Sequence, residues 1–229
     1  MTTYNLKKSE LINIIQGLKT FQTPKIQYEQ YITDAITTAD IFFHVGFEQR
    51  DLDNKIVIDL GCGTGNLTVA AALMGADHVI GVDIDPDALV ICQENVQALD
   101  LATKVTCIQA DLRKEDLQEI ISRSWKREAW GEFSSESIVS ITNPPFGVKV
   151  RGADIIFLKQ ALKVSSVVYS LHLAHPKGRD FLNQKIVKLG ARVDRIFPLS
   201  LVLKHTYHFH SQKQKRVTAD LYRILPIGE

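Results

Sequence analysis

The chain has 229 residues, of which 45% are hydrophobic and 23% are charged, and its 27 Lys and Arg nearly balance its 26 Asp and Glu. This composition is that of a globular domain and excludes an intrinsically disordered chain. The near-zero net charge also excludes a basic field over the whole surface. A nucleic-acid partner would therefore have to bind a local basic patch.

The cysteines and the apolar segments indicate the cellular compartment in which the protein is expected. Cys62, Cys92 and Cys107 are odd in number and lack C-x-x-C spacing, which argues against a disulfide framework and a zinc knuckle. No segment has the roughly 18 apolar residues of a membrane span, and the N-terminal stretch lacks the apolar core of a signal peptide. We therefore expect a cytoplasmic protein that does not contact a membrane.

The apolar pattern changes near residue 50. Residues 5 to 45 have helical spacing with a break at "TFQTPK", and they predict a helical extension over residues 1–50. Beyond it, short apolar runs alternate with helical patterns, which is typical of βαβ units. Strands are predicted at 55–60, 78–83, 104–111, 137–142, 166–173 and, without a helix between them, 191–201 and 215–227.

The predicted fold class is therefore α/β. We expect residues 51–229 to form a Rossmann-like domain with a mostly parallel seven-stranded sheet and an antiparallel hairpin at its C-terminal edge. The polar stretch 112–136 is long for one crossover and predicts a helix plus a surface loop, in which Trp125 and Trp130 are interpreted as packing residues.

A glycine-rich turn follows the first predicted strand. In "DLGCGTG", Asp59, Gly61, Gly63 and Gly65 occupy alternate positions. Glycines let a ligand lie against the backbone because no Cβ fills the space, although a tight turn without a ligand is an alternative interpretation. A dinucleotide is disfavoured, since the pattern lacks G-x-G-x-x-G spacing and no basic residue follows to face a pyrophosphate.

Two further acids end the next two predicted strands. Asp83 can accept both ribose hydroxyls of an adenosine, and Asp111 can accept from an adenine amino group with Ile108 or Leu112 against the ring. Three acids at one edge suit a cationic sulfonium, so S-adenosylmethionine is the predicted cofactor, with S-adenosylhomocysteine as the product. Alternatively, Asp83 caps the next helix, although Asp85 is better placed before Pro86.

The fourth predicted strand ends in "NPPF", at the same edge. The amine of a nucleobase is a poor nucleophile because its lone pair is delocalised into the ring. Asn143 and the carbonyl of Pro144 can accept its two hydrogens, Pro144 and Pro145 stiffen the turn, and Phe146 can stack on an unpaired base. A proline-rich turn without chemistry is the alternative.

The motifs together resemble the NPPF-motif small-subunit rRNA adenine-N6 methyltransferases of the methyltransferase-like five family and their archaeal relatives. The resemblance covers most of the chain, including "PKIQYEQYIT", "DLGCGTGNLTVAAALMGA", "GVDIDPDAL", "NPPFGVK", "VYSLH" and "TYHFHSQKQKRVTADLYRI". It implies that Gln30 and Thr33 also contact the cofactor, beside Asp59, Gly61, Gly63, Asp83 and Asp111. Thr33 could instead be a helix N-cap.

The resemblance also implies contacts with RNA and a partner protein. The stretch 204–216 mixes basic and aromatic residues, as RNA sites do, although a solvated hairpin loop is the alternative, and no metal is expected despite its three histidines. Tyr169 could line the base pocket or lie in the core. The expected substrate-binding residues are Phe146, Lys149, Tyr169, Lys204, His208, Lys213 and Lys215. The family further implies a small zinc-ribbon activator protein.

Other functions stay open at this level. A protein glutamine amide presents the same delocalised lone pair, but Phe146 stands where glutamine methyltransferases usually have Tyr. Cytosine N4, guanine N2 and a DNA adenine are other possible acceptors. A cofactor-binding scaffold in ribosome assembly is the non-enzymatic alternative, and it predicts damage to catalytic residues that are intact in this chain.

Overall fold

The computed structural model describes residues 6–124, 134–145, 151–204 and 214–227, without the side chains at 203, 204, 214 and 215. One sheet contains seven strands: β1 (Ile56–Leu60), β2 (His78–Asp83), β3 (Val105–Gln109), β4 (Ile138–Thr142), β5 (Val167–Leu173), β6 (Ala191–Lys204) and β7 (Gln214–Pro226).

The strand order is β3-β2-β1-β4-β5-β7-β6. Strands β1 to β5 are parallel, whereas β7 is antiparallel to both β5 and β6. The predicted sheet with its antiparallel edge hairpin is therefore confirmed. The chain reverses direction across the sheet between β3 and β4, so β1 and β4 flank the switch point where ligands of such sheets bind.

Helices cover both faces of this sheet. In the described ranges they are α1 (Lys8–Gln16), α2 (Ala35–Phe42), α3 (Asn66–Leu73), α4 (Pro86–Ala98), α5 (Leu117–Ser124), α6 (Ala153–Val164) and α7 (Pro176–Lys188). Short 3-10 turns span Ile26–Tyr28 and Ser135–Ser137, and a π-helix spans Phe43–Glu48. None of the helices in these ranges combines the length and apolar character needed to span a bilayer.

Local chemistry explains where the helices near the sheet edge begin. Asp34 caps α2 by accepting from the amides of Ile36 and Thr37, at 3.1 Å each. Asp85 caps α4 by accepting from the amide of Asp87 at 3.1 Å, and Pro86 has no amide hydrogen to leave unpaired. The predicted cap at Asp85 is confirmed, whereas the alternative that Thr33 caps α2 is wrong because Asp34 does so.

The core lies in two layers on opposite faces of the sheet. One layer packs α1 to α4 against side chains such as Val57, Val79 and Val139, and the other packs α5 to α7 against Ile58, Ile80 and others. All five residues of β1 are buried, as expected for a central parallel strand covered on both faces. The central strands therefore hold their carboxyl ends rigidly at one edge.

Candidate active site

A cleft of about 850 Å³ opens at the carboxyl edge of the sheet. It is lined by residues that follow or end β1 to β4, among them Gly61, Gly63, Asp83, Asp111, Leu112, Asn143 and Pro145. A smaller cleft of about 340 Å³ adjoins it and shares Phe21, Tyr31, Gly61, Gly63 and Asn143. The larger cleft combines apolar and aromatic side chains with a few polar groups, as small-molecule sites do.

The glycine turn forms the floor of both clefts. Gly63 has φ +55°, and a Cβ there would lie 3.3 Å from the ring of Phe21. Gly65 has φ +92° and begins α3, where a Cβ would lie 2.6 Å from Sγ of Cys92. Gly63 therefore leaves room for the Phe21 ring against the turn, whereas Gly65 allows α3 to pack closely on α4. Gly65 does not line either cleft, so its contact with a cofactor stays a prediction.

Asp83 braces the glycine turn from the end of β2. Its Oδ2 accepts from the Gly63 amide at 2.8 Å, and its Oδ1 accepts from the Asp85 amide at 2.9 Å. Burial raises the pKa of Asp83, while these amide hydrogen bonds oppose the rise. Because a carboxylate has about four acceptor sites, Asp83 retains capacity for two hydroxyl groups.

Asp111 lies across the cleft, two residues beyond the end of β3. Arg113 donates to both of its oxygens, through Nε at 2.8 Å and a terminal nitrogen at 2.9 Å. The Arg113 hydrogen bonds lower the pKa of Asp111, so this carboxylate stays ionised. Arg113 also lines the cleft, and therefore the negative charge at this corner is largely balanced.

Asp59 lies behind the lining rather than in it. It is the fourth residue of β1, it is fully buried, and its Oδ2 accepts from the Thr68 hydroxyl at 2.7 Å. Burial raises its pKa to about 7. Its Oδ1 has no hydrogen-bond partner within the described residues, and the same is true of Oδ1 of Asn66, which lines the smaller cleft. The contact of Asp59 with a cofactor stays a prediction.

The segment between α1 and α2 closes one side of the larger cleft. Lys25 Nζ contacts Asp85 at 2.6 Å and Asp87 at 2.7 Å, and Gln30 Nε2 donates to Asp85 at 2.7 Å. Burial raises the pKa of Asp85, but the hydrogen bonds from Lys25 and Gln30 outweigh it and lower that pKa overall. Gln30 thus lines the cleft while its amide holds this segment to the start of α4.

Asn143 lies beside the glycine turn because Leu60 pairs with Thr142, one residue earlier on each strand. Its Nδ2 donates to Oγ1 of Thr33 at 2.8 Å. Its Oδ1 accepts from the Tyr31 hydroxyl at 2.5 Å, and the carbonyl oxygen of Pro144 lies 3.4 Å from the same hydroxyl. Two acceptors on the NPP turn therefore converge on one point in the cleft.

The assignment of Tyr169 to a base pocket is wrong. Tyr169 is fully buried in β5, its hydroxyl donates to Asp51 at 2.6 Å, and it lines neither cleft. The core alternative is correct, because a buried tyrosine needs a partner for its hydroxyl and finds one in Asp51. Thr33 lines the smaller cleft, and its hydroxyl holds Asn143.

The remaining predicted substrate residues lie outside the description. Residues Phe146, Lys149, His208 and Lys213 fall outside the described ranges, as do Trp125 and Trp130, and of Lys204 and Lys215 only the backbone is described. The prediction that these residues contact RNA is therefore untested.

Sequence reasoning missed several lining residues. They are Phe21, Tyr28, Tyr31, Arg113 and Phe157. Tyr31 is part of the "EQYIT" motif, but no periodicity indicates that its side chain meets Asn143, 112 residues later. Arg113 could have been suspected, because it is a cation close in sequence to the predicted site residue Asp111.

Two kinds of sequence comparison, one with a family model and one with curated relatives, find proteins similar to this chain. A family model for ribosomal protein L11 methyltransferase (PrmA) matches residues 39–123. The rRNA N(6)-adenosine-methyltransferase Mettl5 of Drosophila melanogaster is 34% identical over 221 residues, which cover 96% of each chain. METTL5 of Danio rerio is 31% identical over 223 residues, covering 96% of this chain and 100% of the relative.

A solved structure agrees with these relatives. A Pyrococcus horikoshii protein, described provisionally as an RNA methyltransferase, superposes with a TM-score of 0.80 at 31% identity, covering 97% of this chain and 99% of its own. With such identity across almost the full length of these relatives, the chain belongs to the METTL5 family of rRNA N6-adenosine-methyltransferases.

Proposed function

We propose that this protein transfers a methyl group from S-adenosylmethionine to the N6 amine of an adenine in RNA, and that the RNA is small-subunit rRNA. The observation that carries the proposal is the convergence of Asn143 Oδ1 and the Pro144 carbonyl on one hydroxyl, at 2.5 and 3.4 Å. Two fixed acceptors around one point suit a group that carries two hydrogens on one atom.

An exocyclic amine is such a group. Its lone pair is delocalised into the base, so it needs acceptors that orient it rather than a strong base. Hydrogen bonds from both N–H groups to Asn143 and Pro144 direct the lone pair out of the ring plane. Thr33 holds the Asn143 amide in the required orientation, because it binds Nδ2 and leaves Oδ1 toward the cleft.

The residues around the clefts fit S-adenosylmethionine. Asp83 has spare acceptor capacity for ribose hydroxyls, and Gly63 adds no side chain of its own to the space beside the Phe21 ring. The Oδ1 atoms of Asp59 and Asn66, which have no hydrogen-bond partner among the described residues, are acceptors for an ammonium group, reached directly or through water. Leu112 and Asp111 offer an apolar wall and an acceptor for an adenine ring.

When bound, S-adenosylmethionine supplies a methyl group on a positively charged sulfur. On transfer, that methyl group would replace one hydrogen of the amine, the proton would pass to water, and S-adenosylhomocysteine would be left as the product. Asn143 and Pro144 orient the nitrogen, which lowers the entropic part of the barrier. We assign stacking on the extruded base to Phe146.

Two further parts of the proposal concern the chain's partners and organisation. The relatives' names support rRNA as the substrate, and the family suggests a small zinc-ribbon activator as a second subunit. Residues 1–50 act as an extension that completes the site, a role supported by the contacts of Gln30 and Lys25 with Asp85 beside the cleft.

Methyl transfer to defined acceptors tests this function. Purified protein, alone and with the activator, is incubated with labelled S-adenosylmethionine and either protein-free small-subunit rRNA or ribosomal protein. We expect label in RNA, and nucleoside mass spectrometry should identify N6-methyladenosine. Label in glutamine, or in cytosine or guanine, would contradict the proposal and identify the correct acceptor class.

A further inference from the structure

Tyr31 lies in the position that the proposed function assigns to the substrate. Its hydroxyl oxygen is 2.5 Å from Asn143 Oδ1 and 3.4 Å from the Pro144 carbonyl oxygen. Hydrogen-bonded nitrogen and oxygen atoms lie 2.7–3.2 Å apart. An amine nitrogen that donated to both acceptors would therefore occupy nearly the same place as this hydroxyl oxygen, and the two cannot be there together.

The hydroxyl is an incomplete substitute for an amine. It has one hydrogen, which the short bond to Asn143 uses, so the Pro144 carbonyl keeps only a long contact. Burial raises the pKa of Tyr31 well above 10, so this hydrogen is present throughout the neutral range. An adenine amine has two hydrogens and satisfies both acceptors, so exchange of hydroxyl for amine gains one hydrogen bond.

The backbone around Tyr31 is held on both sides. Gln30 is bonded to Asp85, and the Thr33 carbonyl accepts from Asn66 Nδ2 at 3.0 Å. Tyr31 itself is only partly buried and lines both clefts. Freeing the acceptors thus calls for a rotation of the Tyr31 side chain, because the residues on both sides of it are anchored.

We propose that the Tyr31 hydroxyl is a placeholder for the substrate amine, which keeps the Asn143 and Pro144 acceptors oriented in the RNA-free enzyme and is displaced when adenine arrives. This inference rests on the proposed function, because the displacing group is the amine methylated there. It assigns Tyr31 a role in positioning the acceptors and in selecting the substrate. A substrate group that cannot donate hydrogen bonds to both Asn143 and Pro144 gains no hydrogen bond by displacing the Tyr31 hydroxyl.

The substitution Tyr31→Phe separates this role from a structural one. It keeps the ring and removes the tethered competitor, so we expect the KM for protein-free small-subunit rRNA and the Kd measured by direct binding to fall several-fold, with kcat changed by less than about twofold. Tyr169→Phe is the matched control. It also loses a buried hydroxyl bond, of 2.6 Å to Asp51, but outside the lining of both clefts, and should lower thermal stability without changing KM.

Each kinetic result for Tyr31→Phe either supports the placeholder role or overturns it. A raised KM would show that the hydroxyl contacts the substrate, and a lower kcat at unchanged KM would show that it only orients Asn143; either result overturns the placeholder. Thermal unfolding of both variants shows that they are folded. If the wild-type enzyme makes no N6-methyladenosine, the proposed function fails first, whereas an active wild type with unchanged kinetics in Tyr31→Phe contradicts the placeholder alone.

Discussion

At the scale of residues, the site depends on one amide held in one orientation. Thr33 Oγ1 accepts from Nδ2 of Asn143 at 2.8 Å, and the Tyr31 hydroxyl donates to Oδ1 of Asn143 at 2.5 Å. The sequence predicted the place of Asn143, because an apolar strand followed by two prolines can be recognised locally. Its partners lie 110 and 112 residues earlier in the chain, and no local pattern could predict which side chains would meet it.

The first prediction concerns Asn143. Asn143→Ala removes one of two acceptors for the amine, and we expect the single-turnover rate of methyl transfer to fall by roughly 100-fold, as for the loss of one preorganised group in other active sites. Calorimetry should show S-adenosylhomocysteine binding within about threefold of wild type. Asn183→Ala on the exposed face of α7 is the control. Equal rates in both variants would remove Asn143 from the mechanism.

The second prediction concerns the titration of Asp59. Burial raises its pKa from 3.8 to about 7, so between these values the folded protein holds a proton that the unfolded chain has released. This carboxyl therefore lowers the free energy of unfolding as pH rises through that window. Asparagine does not titrate, so Asp59→Asn should gain stability relative to wild type between pH 4 and 7.

Urea denaturation of the cofactor-free protein across this range measures the difference. Asp77→Asn, at an exposed position, is the control. The same pH dependence in Asp59→Asn and in wild type would contradict the assignment of a raised pKa to Asp59.

At the scale of elements, the observed bounds of the strands lie close to the predicted bounds. The segment between α1 and α2 differs from its prediction. The bounds of β2 match the predicted 78–83, because local periodicity and flanking turns determine them. The predicted break at "TFQTPK" instead extends as far as Asp34. Ion pairs with α4, which no periodicity encodes, hold this irregular segment in place.

The third prediction tests that segment. Lys25 joins it to Asp85, whose side chain is only 2% exposed, so Lys25→Met should loosen the wall of the cleft and weaken S-adenosylhomocysteine binding several-fold. Lys19→Met is the control, because its ion pair with Glu94 is largely exposed and lies outside the cleft lining. Calorimetry compares the two variants. An equal effect in both would show that Lys25 acts only through overall charge.

At the scale of the whole molecule, the sheet collects distant parts of the chain at one edge. Residues after β1, β2, β3 and β4, together with the segment before α2, line the same cleft. The alternation of strands and helices predicted this edge, since parallel strands joined by helices bring their carboxyl ends together. The similarity to METTL5 relatives over 96% of the chain applies to this whole arrangement rather than to the glycine motif alone.

The most direct test of RNA adenine methylation uses cells of the source organism that lack this protein. Small-subunit rRNA is purified, digested and analysed by nucleoside mass spectrometry, before and after expression of wild type or Asn143→Ala at equal levels. We predict that N6-methyladenosine is lost in the deletion, restored by wild type and not restored by Asn143→Ala. An unchanged amount of N6-methyladenosine in the deletion would contradict the proposed function.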